Sequence, residues 1–141
     1  MESPARNEIH NESVLLGALA ELAAENADIA VLWLYGSRAT GHATAISDID
    51  LAIAFERHDE SAWEHRLRPE ILALEWAHSL ELPSSQLTIV DINTAPIHLA
   101  LNIIKADHVL YVRDPSRLAR EENRISSIWE IDHLYEQRQA G

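Results

Sequence analysis

The chain contains no cysteine, and this absence and a few others exclude several classes of protein. Without cysteine, the 141 residues can form neither a disulfide nor a zinc site with thiolate ligands. No apolar run approaches the roughly 20 residues of a membrane-spanning helix, and the polar start MESPARNEIHNE does not resemble a signal peptide. We therefore expect a soluble cytoplasmic protein that does not associate with a membrane.

Basic residues are scarce as well. Eleven Lys and Arg stand against 23 Asp and Glu, which gives a formal net charge of −12. Phosphate backbones would be repelled by this excess, so we expect no direct binding of nucleic acid, whereas a basic protein or a cation-neutralised nucleotide would suit the chain. Internal repeats and linker-like segments are also missing, which favours a single domain over residues 1–141.

The spacing of apolar residues predicts the element order α β β α β α β α. The predicted elements are a helix from Asn11 to about Asn26, strands over 29–35 and 48–55, a helix over 61–80, a strand over 86–92, a helix from Pro96, a strand over 108–112 and a C-terminal helix over about 115–138. This order is typical of an α/β (α+β) fold in which helices flank a small mixed β-sheet.

Two of the predicted helices carry further expectations. Pro69 is expected to break or kink the second helix, whose buried stripe is predicted to consist of Trp63, Leu67, Ile71 and Leu74. The last helix is mostly polar, and its Trp129 and Tyr135 could cover either their own domain or a partner. The other tryptophans are predicted to serve the core.

The stretch LYGSRATGHATAISDIDLAI, residues 34–53, is the candidate functional site. Asp48 and Asp50 share one face of a predicted strand, while Ile49 points into the core between them. Two neighbouring carboxylates repel each other unless a cation lies between them. Oxygen ligands of this charge favour Mg²⁺ or Mn²⁺, which usually take further ligands from the phosphates of a substrate. The pair therefore indicates a site for a metal-nucleotide complex.

The Gly-Ser pair that ends the preceding strand supplies what a metal site alone lacks. Gly36 lets a phosphate approach backbone N–H groups closely, Ser37 adds a hydroxyl donor, and Arg38 offers a positive charge nearby. Ten residues separate Ser37 from Asp48, enough for a turn and a return to a neighbouring strand. Either motif alone is usually only a turn or a solvated strand end, but the combination at this interval is far more specific.

The pattern G-S, ten residues, D-x-D resembles the signature of the DNA polymerase beta nucleotidyltransferase superfamily. The chain resembles more closely the minimal nucleotidyltransferases (MNT) of the MntA type, antitoxins that act beside HEPN-domain toxins, in a likeness that runs from the leading helix through GSRATG, SDIDLAI and TIVDINTAP to IIKADHVLYVRD. This resemblance implies a polymerase beta-like fold and the transfer of AMP from ATP, with Mg²⁺, to a tyrosine of the partner toxin. By position, it implies nucleotide binding by Gly36, Ser37 and Arg38, catalytic roles for Ser37, Asp48 and Asp50, and metal binding by Asp48 and Asp50.

One position departs from the family pattern. The superfamily usually has a third carboxylate on a neighbouring strand, and the corresponding stretch here reads Thr88-Ile89-Val90-Asp91. Thr88 occupies the position of that carboxylate, and Asp91 has the opposite parity on the strand. The resemblance therefore leaves open an adenylyltransferase, either fully active or weakened at this position, and a catalytically weak binding module of the same fold that neutralises the toxin by direct complex formation. Transfer to a small molecule is a third alternative, although relatives of that kind normally carry an additional domain.

Overall fold

A computed structural model describes residues 12–41, 43–44, 47–56 and 62–140. Its elements are α1 (Glu12–Glu25), β1 (Ile29–Tyr35), β2 (Ile49–Phe55), α2 (Ala62–Ser79), β3 (Leu87–Asp91), α3 (Ile97–Ala106), β4 (Val109–Val112) and α4 (Pro115–Ala140). The predicted order of helices and strands is confirmed. The predicted helix cap Asn11 and the side chain of Trp63 lie outside the described residues.

The four strands form one mixed sheet in the order β3-β2-β1-β4. β1 is antiparallel to both β2 and β4, whereas β2 is parallel to β3. A parallel pair cannot be joined by a hairpin, so the chain crosses from β2 to β3 through α2. This arrangement agrees with the predicted fold class.

Helices cover both faces of the sheet, which is why β1 is apolar at every position. α1 and α2 contribute to one buried cluster, which includes Leu32 and Leu51 of the sheet. α3 and α4 contribute to a second cluster with Trp33 and Ala52. Six of the seven residues of β1 are buried, and Tyr35 at its end is partly accessible to solvent.

The predicted buried stripe of α2 is wrong. Ile71 and Leu74 are 50% and 58% exposed, and the helix turns another face to the sheet, formed by Leu72, Ala73, Trp76, Ala77 and Leu80. Both sets recur at helical spacing, because α2 carries two apolar faces. The sheet receives the face that contains the large side chain of Trp76, and the second apolar face stays in contact with solvent.

The predicted break at Pro69 is also wrong. α2 continues through Pro69, which is itself buried. Proline removes one backbone hydrogen bond from a helix interior. The packing of Trp76 and Leu80 against the sheet fixes the following turns, so tertiary contacts outweigh that local cost.

α4 is joined to the sheet by a buried polar cluster, which we call the Glu121 cluster. Arg117 donates from Nη1 to the carbonyl oxygen of Phe55 at 3.0 Å and from Nε to Glu121 Oε1 at 3.0 Å. Asn93 and Arg124 also donate to the carboxylate of Glu121. The cluster satisfies charges that would otherwise be costly to bury.

Two aromatic residues of α4, Trp129 and Tyr135, differ in their surroundings. Trp129 packs against the domain and lies 5.2 Å from the Lys105 ammonium. Tyr135 is 63% exposed, and Ile131 and Leu134 beside it are exposed as well. Along the described part of the chain, no helix has both the length and the apolar character to cross a membrane.

Candidate functional site

Gly36 and Asp50 meet where β1 ends and β2 begins. Gly36 has a φ of +74°, a backbone conformation that residues with a side chain rarely adopt. A Cβ atom placed on Gly36 would collide with Oδ2 of Asp50. The structure therefore brings the Gly-Ser turn and the second aspartate together, and only glycine fits at this position.

The turn after β1 is a single 3₁₀ turn over Gly36–Arg38, closed by a hydrogen bond from the Ala39 N–H to the Gly36 carbonyl at 3.1 Å. Three residues align too few peptide groups for an appreciable helix dipole. What the turn can offer a phosphate is its backbone N–H groups and the hydroxyl of Ser37, which is half-buried.

The two aspartates stand at the start of β2 in different environments. Asp48 is exposed just before the strand, and Asp50 is half-buried within it. Burial raises the pKa of the Asp50 carboxyl, and the negative charge of Asp48 raises it further. A cation bound between the two carboxylates would relieve this repulsion, so the pair fits a divalent metal such as Mg²⁺.

Asp50 lies in a row of three side chains that crosses three strands. Its neighbour on β1 is Tyr35, and its neighbour on β3 is Thr88. Burial raises the pKa of the Tyr35 phenol, and the charge of Asp50 raises it further. Sequence reasoning missed Tyr35, because the pairing of β1 with β2 is needed before the tyrosine can be placed beside the aspartate.

The third strand places threonine, not a carboxylate, beside Asp50. Thr88 is exposed, whereas Asp91 pairs with Ile53, three positions and roughly 10 Å further along. Asp91 is buried, accepts a hydrogen bond from the Asn93 N–H at 2.9 Å and lies 4.0 Å from Arg68. Asp91 is thus part of the opposite end of the sheet.

The start of β2 therefore offers a metal ion two carboxylates, those of Asp48 and Asp50. Within the described ranges, no three or more His, Asp and Glu side chains are grouped so that they could hold a metal ion. A magnesium ion at Asp48 and Asp50 would take its other ligands from water and from nucleotide phosphates, which is its usual mode of binding.

Arg38 is buried, and the contacts of its guanidinium include one with α1 and one with the segment before β2. Nη1 pairs with Glu12 Oε2 of α1 at 2.6 Å, and Nη2 donates to the Ser47 carbonyl at 2.9 Å. The same carbonyl accepts from Gln86 Nε2 at 3.2 Å. These contacts fix the residue that precedes Asp48. No motif or spacing in the sequence pointed to Glu12, Ser47 or Gln86, and the predicted role of Arg38 in nucleotide binding stays a prediction.

Comparisons with known proteins identify the family and the fold of the chain. The model of the family "Polymerase beta, Nucleotidyltransferase" matches residues 18–116. A crystal structure of a toxin-antitoxin with AMP-PNP contains a chain that is 21% identical, with a TM-score of 0.62, over 92% of this chain and 94% of that one.

Two further solved structures share the fold at similar levels. In the complex of a tri-AMPylated Shewanella oneidensis HEPN toxin with an MNT antitoxin, the matching chain is 18% identical over 92% of this chain and 93% of that one, with a TM-score of 0.62. In a crystal structure of the MntA-HepT toxin-antitoxin, the matching chain is 19% identical over 91% of this chain and 93% of that one, with a TM-score of 0.61. A comparison with curated proteins found no match. Because the family model spans most of the chain and includes the Gly-Ser turn, both aspartates and β3, this chain belongs to the polymerase beta nucleotidyltransferase family.

Proposed function

We propose that the chain is an antitoxin that transfers AMP from ATP to a tyrosine of a HEPN-domain toxin. The observation that carries the proposal is the closeness of the Gly36 turn to the Asp50 carboxylate, because backbone N–H groups suited to a phosphate then lie beside carboxylates suited to a metal. The structural relatives support the biological role, because one belongs to a toxin-antitoxin structure determined with AMP-PNP and another accompanies a tri-AMPylated HEPN toxin.

In this proposal the two halves of the site divide the nucleotide between them. The Gly36 and Ser37 backbone and the Ser37 hydroxyl hold the phosphates, and Asp48 and Asp50 hold Mg²⁺. The bound metal would neutralise charge on the phosphate oxygens. The raised pKa of the Asp50 carboxyl and its closeness to Asp48 explain why the pair would gain from a cation.

The proposed transfer is a displacement at the α-phosphorus of ATP. The tyrosine oxygen of the toxin forms a bond to that phosphorus, the bond from it to the bridging oxygen of the β-phosphate breaks, and pyrophosphate leaves. The phenolic proton passes to solvent, because Thr88 provides no base at the position beside Asp50. What this chain contributes is the alignment and charge neutralisation of the nucleotide.

Thr88 favours a second candidate function, in which the chain neutralises the toxin by forming a complex with it and transfers AMP slowly or not at all. A positioned general base typically contributes about 10²- to 10⁴-fold to a rate. Replacement of the family's third carboxylate by Thr88 would slow the transfer more than it would weaken nucleotide binding.

Mass spectrometry separates the two candidates. The purified chain is incubated with ATP, Mg²⁺ and the product of the reading frame adjacent to its gene, as the candidate HEPN-domain toxin, and the mass of that protein is followed. AMP transfer predicts increments of one AMP on a tyrosine, and their loss in the Asp48→Asn, Asp50→Asn double variant. Increments that persist in the double variant would refute the proposed site. Toxin neutralised by the double variant in a growth assay, without increments, would favour the binding module.

A further inference from the structure

β3 is an edge strand of the sheet, and no other described strand pairs with its outer side. The N–H of Ile92 donates to the Ile53 carbonyl of β2 at 2.9 Å. Because successive residues of a strand point their backbone groups to opposite sides, Thr88 and Val90 also face β2, and Leu87 and Ile89 direct their N–H and C=O groups away from it. Among the described strands, β3 pairs with β2 alone.

A shallow apolar groove of about 270 Å³ runs beside this edge. Its lining residues are Glu70, Ala73, Leu74, Ser84, Leu87, Thr88 and Ile89. Leu74 and its neighbour Ile71 belong to the second apolar face of α2, which the sheet leaves exposed. The groove therefore combines backbone hydrogen-bonding groups with apolar side chains, the two features by which sheet edges bind extended peptides.

The groove also lies next to the candidate site. Thr88 belongs to its lining and is the register partner of Asp50. Strands in a sheet are about 4.8 Å apart, so a strand added to β3 would run about 10 Å from the Asp50 backbone. A tyrosine on such a strand, beside Thr88, would project over this small side chain towards the phosphates held at Asp48 and Asp50.

We propose that this groove docks an extended segment of the partner protein that carries the acceptor tyrosine. The inference rests on the proposed function, since it assigns the place where the substrate of the transfer binds. The segment would pair with the Leu87 and Ile89 backbone and alternate apolar with polar side chains. Basic residues would accompany it, because Glu70 lines the groove and the whole chain carries a net charge of −12.

Paired surface variants test the docking. Ile71→Arg with Leu74→Arg changes Leu74 in the groove and its exposed neighbour Ile71, while Ile131→Arg with Leu134→Arg makes the same change at exposed positions of α4. With the same candidate HEPN-domain toxin as substrate, we expect at least a tenfold loss of kcat/KM for AMP addition in the groove variant. The α4 variant should keep its rate, and both should keep their affinity for ATP. An unchanged rate in the groove variant would overturn the proposal.

Amide hydrogen exchange tests the same docking without any turnover. In the Asp48→Asn, Asp50→Asn variant mixed with that protein, the Leu87 and Ile89 amides should exchange at least tenfold more slowly than in the free chain. Slower exchange with no AMP transfer by the wild type would retain the docking site and reject the proposed activity. Transfer by the wild type with unchanged exchange at both amides would reject the docking site alone.

Discussion

At the scale of single residues, Gly36 and Asp50 occupy a space that admits no additional atom. The carboxylate can approach the turn because Gly36 has no side chain and adopts a positive φ. Gly41 also has a positive φ, of +79°, but an added Cβ there would meet no atom of the described residues within 4 Å. The two glycines therefore separate the cost of backbone strain from the cost of displacing Asp50.

Gly36→Ala should weaken magnesium-dependent ATP binding at least tenfold, because the new methyl group would push Asp50 out of place. Gly41→Ala should lower the free energy of unfolding by about 1 kcal/mol through backbone strain and leave ATP binding unchanged. Calorimetric titration measures the binding, and urea denaturation measures the stability. Equal loss of ATP affinity in both variants would show that the contact with Asp50 is irrelevant.

Thr88 gives a prediction of the opposite sign. Thr88→Asp would place a third carboxylate beside Asp50. The rate of AMP transfer should then rise, by up to the roughly 10²- to 10⁴-fold that a positioned base contributes. Asparagine has the shape of aspartate without its charge, so Thr88→Asn is the matched control and should not raise the rate of AMP transfer. A slower transfer in Thr88→Asp than in Thr88→Asn would mean that position 88 does not face the reacting phosphorus.

The residues of the site differ in how far the sequence could predict them. Gly36 and the two aspartates were predicted to converge, since strand parity and the ten-residue interval are local properties of the chain. The contacts of Arg38 with Glu12 and Ser47, and of Gln86 with Ser47, join segments far apart in sequence. No local pattern encodes such contacts, so they became apparent only in the folded chain.

At the scale of elements, α2 shows why a periodic pattern can indicate the wrong face. The apolar faces that contain Leu74 and Trp76 both recur at helical spacing, so the pattern predicted the helix correctly and its orientation incorrectly. Orientation depends on the sheet, which is formed by residues distant in sequence. The face left exposed by this choice forms part of the groove beside the candidate site.

The Glu121 cluster gives a pH-dependent prediction at the same scale. Burial acts to raise the pKa of Glu121, but hydrogen bonds from Asn93, Arg124 and Arg117 outweigh it and lower the pKa below its ordinary value. A carboxyl whose pKa is lower in the folded than in the unfolded chain stabilises the fold above its unfolded pKa. This contribution is lost as the pH falls through the folded pKa.

Glu121→Gln should therefore lower the free energy of unfolding by about 2 to 4 kcal/mol at pH 7, because Arg117 loses the carboxylate with which it is buried. The difference from the wild type should begin to shrink below about pH 4, where the carboxyl of the unfolded chain becomes protonated, and should shrink further as the pH falls through the lower pKa of the folded chain. Glu122→Gln changes an exposed neighbour and should have little effect at either pH. Urea denaturation at both pH values checks this, and a difference independent of pH would contradict the role given to the charge.

At the scale of the whole molecule, the order of elements was predictable and the arrangement of the sheet was predictable only in kind. Apolar spacing and turn residues are local, so they gave the helices, the strands and a mixed sheet. The strand order β3-β2-β1-β4 and the pairing of Asp50 with Tyr35 and Thr88 depend on contacts between distant segments. These pairings determine which side chains surround the candidate site.

The net charge of −12 repels an approaching triphosphate, so we expect a metal ion to accompany the nucleotide. The most direct test of the account is a calorimetric titration of the chain with ATP, with and without Mg²⁺, in the wild type and in the Asp48→Asn, Asp50→Asn variant. We expect ATP binding by the wild type that requires Mg²⁺, and at least a tenfold weaker affinity in the double variant. ATP binding that is independent of Mg²⁺, or equally tight in both proteins, would contradict the proposed site.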